Sequence, residues 1–124
     1  MLECYKMLKI IEPRPAMWTG EISLKSIHTY LSGYYHALSD NSITQQPNDD
    51  ELFFDWVAKK LGYYESTAGW ANMILAHCME FEPRNIKWEK VFDTPVSAEQ
   101  HLKSVSLFYK LLDEFKDEHR SDYA

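Results

Sequence analysis

The strongest constraint on the fold lies near the end of the chain. There Ser97-Ala98-Glu99-Gln100 opens a run whose apolar residues, Leu102, Val105, Phe108, Tyr109, Leu112 and Phe115, recur every three or four positions. A Ser followed three residues later by Gln is the capping-box arrangement, in which each side chain satisfies a backbone N–H that the helix start leaves open. The spacing puts the apolar residues on one helical face, which must be buried against other elements. The other side is charged, with Lys103, Lys110, Asp113, Glu114 and Asp117, and residues 119–124 lose the pattern and read as a frayed tail.

The elements that cover this face are also helical in pattern, since no consecutive segments alternate as strands do. Ser23 caps a segment in which Leu24, Ile27, Leu31, Tyr34 and Leu38 share one side, with Lys25, Thr29 and His36 on the polar side. Gly33 lies inside it at a propensity cost of about 1 kcal/mol relative to Ala, which close approach of another helix would explain. A further helix opens with Asp49-Asp50-Glu51 and carries Phe53, Phe54, Val57 and Leu61 inward, Glu51, Asp55 and Lys59 outward, and Gly62 as its stop. Ser66 or Thr67 then caps a helix with the stripe Trp70, Met73, Ile74, His77 and Phe81, ended by Pro83.

Three stretches read differently. Residues 2–11 fit a short helix or a strand, and the Pro13–Gly20 connector that follows is expected to fold Trp18 back on the domain, so 1–20 forms an N-terminal segment. Residues 39–49 form a polar loop, and 84–96 read as irregular, with partial alternation and a helical turn at 87–92 both possible. The sum is one all-α domain of four to five helices over residues 1–124.

Composition limits the function. The charge of −6 disfavours direct nucleic-acid binding, which calls for a Lys/Arg-rich stripe, and suits a basic protein partner. No segment has the roughly 18 apolar residues of a membrane span, and the first residues lack a signal-peptide core, so a cytoplasmic location is expected. Cys4 and Cys78 lack framework spacing and read as thiols in a reducing compartment.

Neither a metal, a cofactor nor a catalytic centre is expected. His28 and His36 point to different sides of their helix, and His77 and Cys78 are adjacent and diverge. His77, on an apolar stripe, is expected to be partly buried. No nucleophile elbow, phosphate loop or dinucleotide fingerprint is present. Binding has more support. Tyr63-Tyr64-Glu65 forms an inter-helix tip of the composition found at interface hot spots, although one of the two tyrosines packing inward is an equally good reading. For Tyr34-Tyr35, helical spacing turns Tyr34 to the core.

The series RPxMWxG from Arg14, then SLKSIHTYLSGYYHAL, FFDWVAKKLG, GWANMIL and LFYKLLDEF, resembles a group of small acidic bacterial immunity proteins, the antidotes of contact-dependent growth-inhibition toxins. The likeness runs from Pro13 to Phe115, and Arg14, Trp18, Gly20, Gly33, Tyr34, Trp56, Gly69 and Trp70 match its scaffold positions. It implies a protein that binds the C-terminal toxin domain delivered by a neighbouring cell, expected to be a basic nuclease, and blocks its activity. On charge and aromatic content the expected toxin-binding residues are Asp49, Asp50, Glu51, Asp55, Tyr63, Tyr64 and Glu65. A regulatory or scaffold module unrelated to toxins is the alternative, and a hydrolase with unrecognised residues is a third reading.

Overall fold

The computed structural model describes residues 2–41, 50–63 and 68–119, which contain no strand. Seven α-helices occur among them: α1 Tyr5–Ile11, α2 Pro15–Thr19, α3 Leu24–Asp40, α4 Asp50–Leu61, α5 Trp70–Cys78, α6 Trp88–Asp93 and α7 Ala98–Glu118. Five of them have seven residues or more, in keeping with the all-α reading, and α2 and α6 are little more than single turns.

The longest helix forms as its signals require. Ser97 Oγ accepts the Gln100 N–H at 3.1 Å, and Gln100 Oε1 accepts the Ser97 N–H at 3.0 Å, which closes the capping box of α7. Its buried arc is wider than one stripe, because Ser104 and Leu111 join Val105, Phe108, Tyr109, Leu112 and Phe115. A wide arc needs neighbours on several sides, and α7 has them. Tyr109 donates to the Leu8 carbonyl at 2.7 Å and Tyr5 donates to Asp113 at 2.6 Å, so α1 lies antiparallel to it on one flank. On the other flank Trp56 Nε1 donates to Glu118 and Lys60 pairs with Glu114 at 3.4 Å, which makes α4 antiparallel to it as well.

Between these sits α5, packed against α3, α4 and α7. Its Trp70 ring stacks on Phe108 at 4.9 Å and meets Phe53 edge-on at 5.3 Å. Phe53, fully buried, also contacts Phe115 at 5.1 Å and Phe108 at 6.2 Å, both edge to face. That geometry matches the ring quadrupoles and adds to burial of apolar area. Leu24, Ile27 and Leu31 close the core from α3.

Two helices end alike. The Tyr63 N–H reaches back to Ala58 O at 2.8 Å around Gly62 at φ +86°, and the Phe81 N–H reaches Ala76 O at 3.1 Å around Glu80 at φ +66°. Both are Schellman closures of orphan carbonyls, and Gly62 is the stop its position indicated. At Glu80 the same left-handed conformation is held by a residue that has a Cβ.

Several expectations are corrected. The helix expected to run to Pro83 ends at Cys78, and it starts at Trp70 on Gly69, without a side-chain cap; Ser66 and Thr67 lie outside the described residues. His77 therefore sits in the last turn and is exposed, not partly buried. The 84–96 stretch is ordered by α6, where Val91 is buried and Trp88 stacks on Tyr63 at 5.8 Å. Residues 2–11 are helical rather than extended. Trp18 does not fold back: it is 42% exposed on α2. Tyr35 packs on the core while Tyr34 is exposed. Close approach of another helix does not explain Gly33 either, since an added Cβ there would meet nothing within 4 Å. Leu102, at the exposed start of α7, is likewise on the surface. Apart from these corrections, Cys4 and Cys78 are free thiols, Cys4 buried and Cys78 partly so.

Candidate functional site

The antiparallel pairing of α4 with α7 brings two separate acidic stretches to one end of the molecule. Asp50 and Glu51 begin α4, and one turn later Asp55 is exposed beside Trp56. Trp56 donates to Glu118, so the start of α4 lies next to the last turn of α7, where Asp117 and Glu118 are exposed. Asp113 and Glu114, one turn earlier, are half-buried and partly neutralised: Asp113 accepts from Tyr5 and lies 3.5 Å from Lys9, and Glu114 faces Lys60. The hydrogen bond to Asp113 holds the Tyr5 hydroxyl above its ordinary pKa, and the bond to Glu12 at 2.6 Å does the same for Lys9. Asp55 and Asp117 are thus exposed at this end, while Asp113, Glu114 and Glu118 fasten α1 and α4 to α7.

Of the expected contact residues, Asp50, Glu51 and Asp55 fall in this region. Asp49, Tyr64 and Glu65 lie outside the described residues. Tyr63 is not a surface contact. It is 6% exposed, donates to the Met73 carbonyl at 3.1 Å and stacks on Trp88, and burial, with a smaller contribution from the Cys78 thiol, pushes its hydroxyl up to about 12. The Schellman turn at Gly62 explains this, since it reverses the chain and drives the next side chain into the gap between α5 and α6. The acidic end of α7 takes its place in the candidate surface. In the sequence the acidic side of this helix, around Asp113, Glu114 and Asp117, is the next candidate after the 49–65 stretch, but nothing in spacing says which end of α4 it meets.

A second feature lies at the other end of α7. A groove of about 710 Å³ opens where the starts of α3, α5 and α7 converge, with α6 as its fourth wall. From α3 and the residues before it come Glu21, Ser23, Lys25 and His28, from α5 Gly69, Ala71 and Asn72, and from α7 His101. Leu75, Val91, Phe92 and Val96 make its apolar side. Glu21 accepts from Ser26 Oγ at 2.5 Å and from Ser23 Oγ at 3.3 Å, and these bonds, with smaller help from His101 and Lys25, hold its carboxyl below the usual carboxylate range. Glu21, His28 and His101 are far apart in sequence; the two cap signals at Ser23 and Ser97 mark helix starts, but only the packing makes those starts meet.

Among the described residues no group of three or more His, Cys, Asp or Glu is placed to hold a metal ion, and no helix is long and apolar enough to cross a membrane. No family model, curated protein or solved structure matches the chain.

Proposed function

We propose that this chain is a stoichiometric protein inhibitor, acting in the cytoplasm as the immunity partner of a contact-dependent growth-inhibition toxin domain, a nuclease with a basic substrate cleft. The observation that carries the reading is the acidic end formed by the start of α4 and the last turns of α7, where Asp55, Asp117 and Glu118 are exposed together. A rigid anionic surface of this kind competes with a phosphate backbone for a basic cleft and steers the encounter from a distance. The net charge of −6 acts in the same direction. The resemblance carried by Arg14 to Gly20, Phe53 to Leu75 and Leu107 to Phe115 supplies the toxin context. Inhibition here is by occupancy, with no chemical step.

The test is co-expression with the toxic C-terminal domain encoded directly upstream of this gene. Restored growth together with a one-to-one complex on size exclusion is the expected result. A toxic domain that kills equally with and without this chain, and forms no complex with it, overturns the proposal.

A further inference from the structure

Seven large apolar side chains are exposed among the described residues, and four of them, Ile10, Met17, Trp18 and Ile22, fall between residues 10 and 22. The chain folds tightly there. The Arg14 N–H reaches Ile11 O at 3.1 Å, and the Gly20 N–H reaches Ala16 O at 2.9 Å. Thr19 Oγ1 lies 3.1 Å from Pro15 O and 2.8 Å from Glu21 O, which holds Ile22 beside α2. Ile10 is 62% exposed and Met17 67%, with Trp18 at 42% and Ile22 at 39%. Leu8 and Ile11 take the core side of α1, and Tyr5 and Lys9 its α7 side, so Ile10 is left on the outer one.

The charges around this patch differ from those of the rest of the chain. Residues 1–22 contain three acidic residues, Glu3, Glu12 and Glu21, and three basic ones, Lys6, Lys9 and Arg14, so the net −6 resides wholly in the remainder. Two copies of an acidic chain repel one another, and here is a face on which they meet without a like net charge. Lys9 pairs with Glu12 at 2.6 Å. Arg14 and Glu21 are both exposed and flank α2, Arg14 as its N-cap and Glu21 directly after its C-cap Gly20. The midpoint between them falls between Met17 and Trp18. Glu21 is ionised, since its bonds to Ser26 and Ser23 hold its carboxyl below the usual carboxylate range.

We infer that α1 and α2 form the interface of a homodimer, in which α2 crosses its own copy antiparallel about a two-fold axis between Met17 and Trp18. Such an axis sets Arg14 of each copy against Glu21 of the other, so the pair occurs twice, as an isologous contact requires. The area agrees. At these exposures the four apolar side chains leave roughly 400 Å² open, and a standard interface covers about 800 Å² on each partner, a little over half of it apolar. Trp, Met and Arg are also among the residue types that interfaces enrich. A basic toxin domain finds no net negative charge on this face. α1 runs antiparallel to α7, and Glu21 shares the groove at the start of α7 with His101, so residues 10–22 lie away from Asp117. Two chains joined here leave both acidic ends open, and each copy still takes one toxin domain on the reading above.

Analytical ultracentrifugation of the chain alone, over a concentration series, tests this. The expected result is a monomer–dimer equilibrium in the micromolar range or tighter. Met17→Glu sets two carboxylates together at the axis and should abolish the dimer, while Trp18→Ala should weaken it by at least about tenfold. Both positions are exposed, and unchanged far-UV circular dichroism spectra show that the fold is kept. Arg14→Glu and Glu21→Arg each weaken self-association, and mixing the two variants in equal amounts restores it as a heterodimer, which a purely structural role for either residue would not produce. A chain that stays monomeric up to about 1 mM overturns the inference; if it then adsorbs to phosphatidylcholine vesicles, the patch belongs to a lipid surface. A dimer that survives Met17→Glu, or single variants that fail to rescue each other, overturns it as well.

Discussion

Replacing Phe53 by Ala removes the ring on which α4, α5 and α7 meet. Phe53 is fully buried and touches Trp70 at 5.3 Å, Phe115 at 5.1 Å, Phe108 at 6.2 Å and Trp56 at 6.2 Å. Truncating a buried Phe costs about 3–5 kcal/mol through lost transfer energy and the cavity left behind. The three edge-to-face partners, each worth about 0.5–1.5 kcal/mol beyond area, place this site near the upper end. For 124 residues the unfolding entropy is about 0.26 kcal/mol per degree, so a loss of about 4 kcal/mol lowers the melting temperature by about 15 °C. Phe53→Leu keeps most of the volume and loses only the ring geometry, so it should cost about 1–2 kcal/mol. Urea unfolding followed by far-UV circular dichroism measures both, and an unchanged slope shows that the same surface is exposed on unfolding. An Ala variant within 1 kcal/mol of wild type would refute the packing of α4 onto α5 and α7. A Leu variant as damaged as the Ala variant would refute the weight given to the ring contacts.

Tyr63, with its hydroxyl pushed up to about 12, and Tyr109, pushed up further by burial, are both held neutral by the fold. Their folded values are raised, so the stability they contribute is complete below the unfolded value near 10 and is lost as pH climbs through the folded one. Urea midpoints should fall above pH ~10, and Tyr63→Phe, about 1 kcal/mol less stable at neutral pH for want of the bond to Met73, should fall less; parallel curves would sink the assignment. Glu80→Gly should stabilise by roughly 0.5–1 kcal/mol, because the left-handed C′ position of α5 costs a residue with a Cβ more than the extra chain entropy of Gly; a lower thermal midpoint would contradict this. Asp55→Lys combined with Asp117→Lys should slow association with the toxin domain by about tenfold or more at low salt, leaving the unfolding curve unchanged. Stopped-flow rates equal to wild type at low salt would place the interface elsewhere.

Much of the secondary structure was legible because its signals are local. The capping box at Ser97, the cap at Ser23 and the stop at Gly62 each act over a few residues, and the structure shows each in place. Tyr34 and Leu102 were misread because helical spacing defines a face but not how far along the helix a neighbour covers it. Trp18 was misread for a related reason: a large ring implies burial only if an element lies opposite it, and α2 has none there. The 84–96 stretch was ambiguous because six residues of helix carry less than two turns of pattern, and α6 is held by burying Val91 and stacking Trp88 on Tyr63.

For the site the division is sharper. Charge sign, the all-α class and the acidic runs at 49–55 and 113–118 are properties of the chain read in order, and the sequence determined them alone. That Asp55 comes to lie beside the end of α7 depends on α4 lying antiparallel to α7, a choice made by Phe53, Trp56 and Lys60 finding Phe115, Glu118 and Glu114. The inward turn of Tyr63 and the meeting of the three helix starts at the groove are likewise decided only in the folded chain. Helical periodicity is one-dimensional and repeats every turn, so it says which residues share a face but leaves open which helices pair, in which direction and at what offset. Burial of apolar area and the pairing of polar groups across helices make that choice.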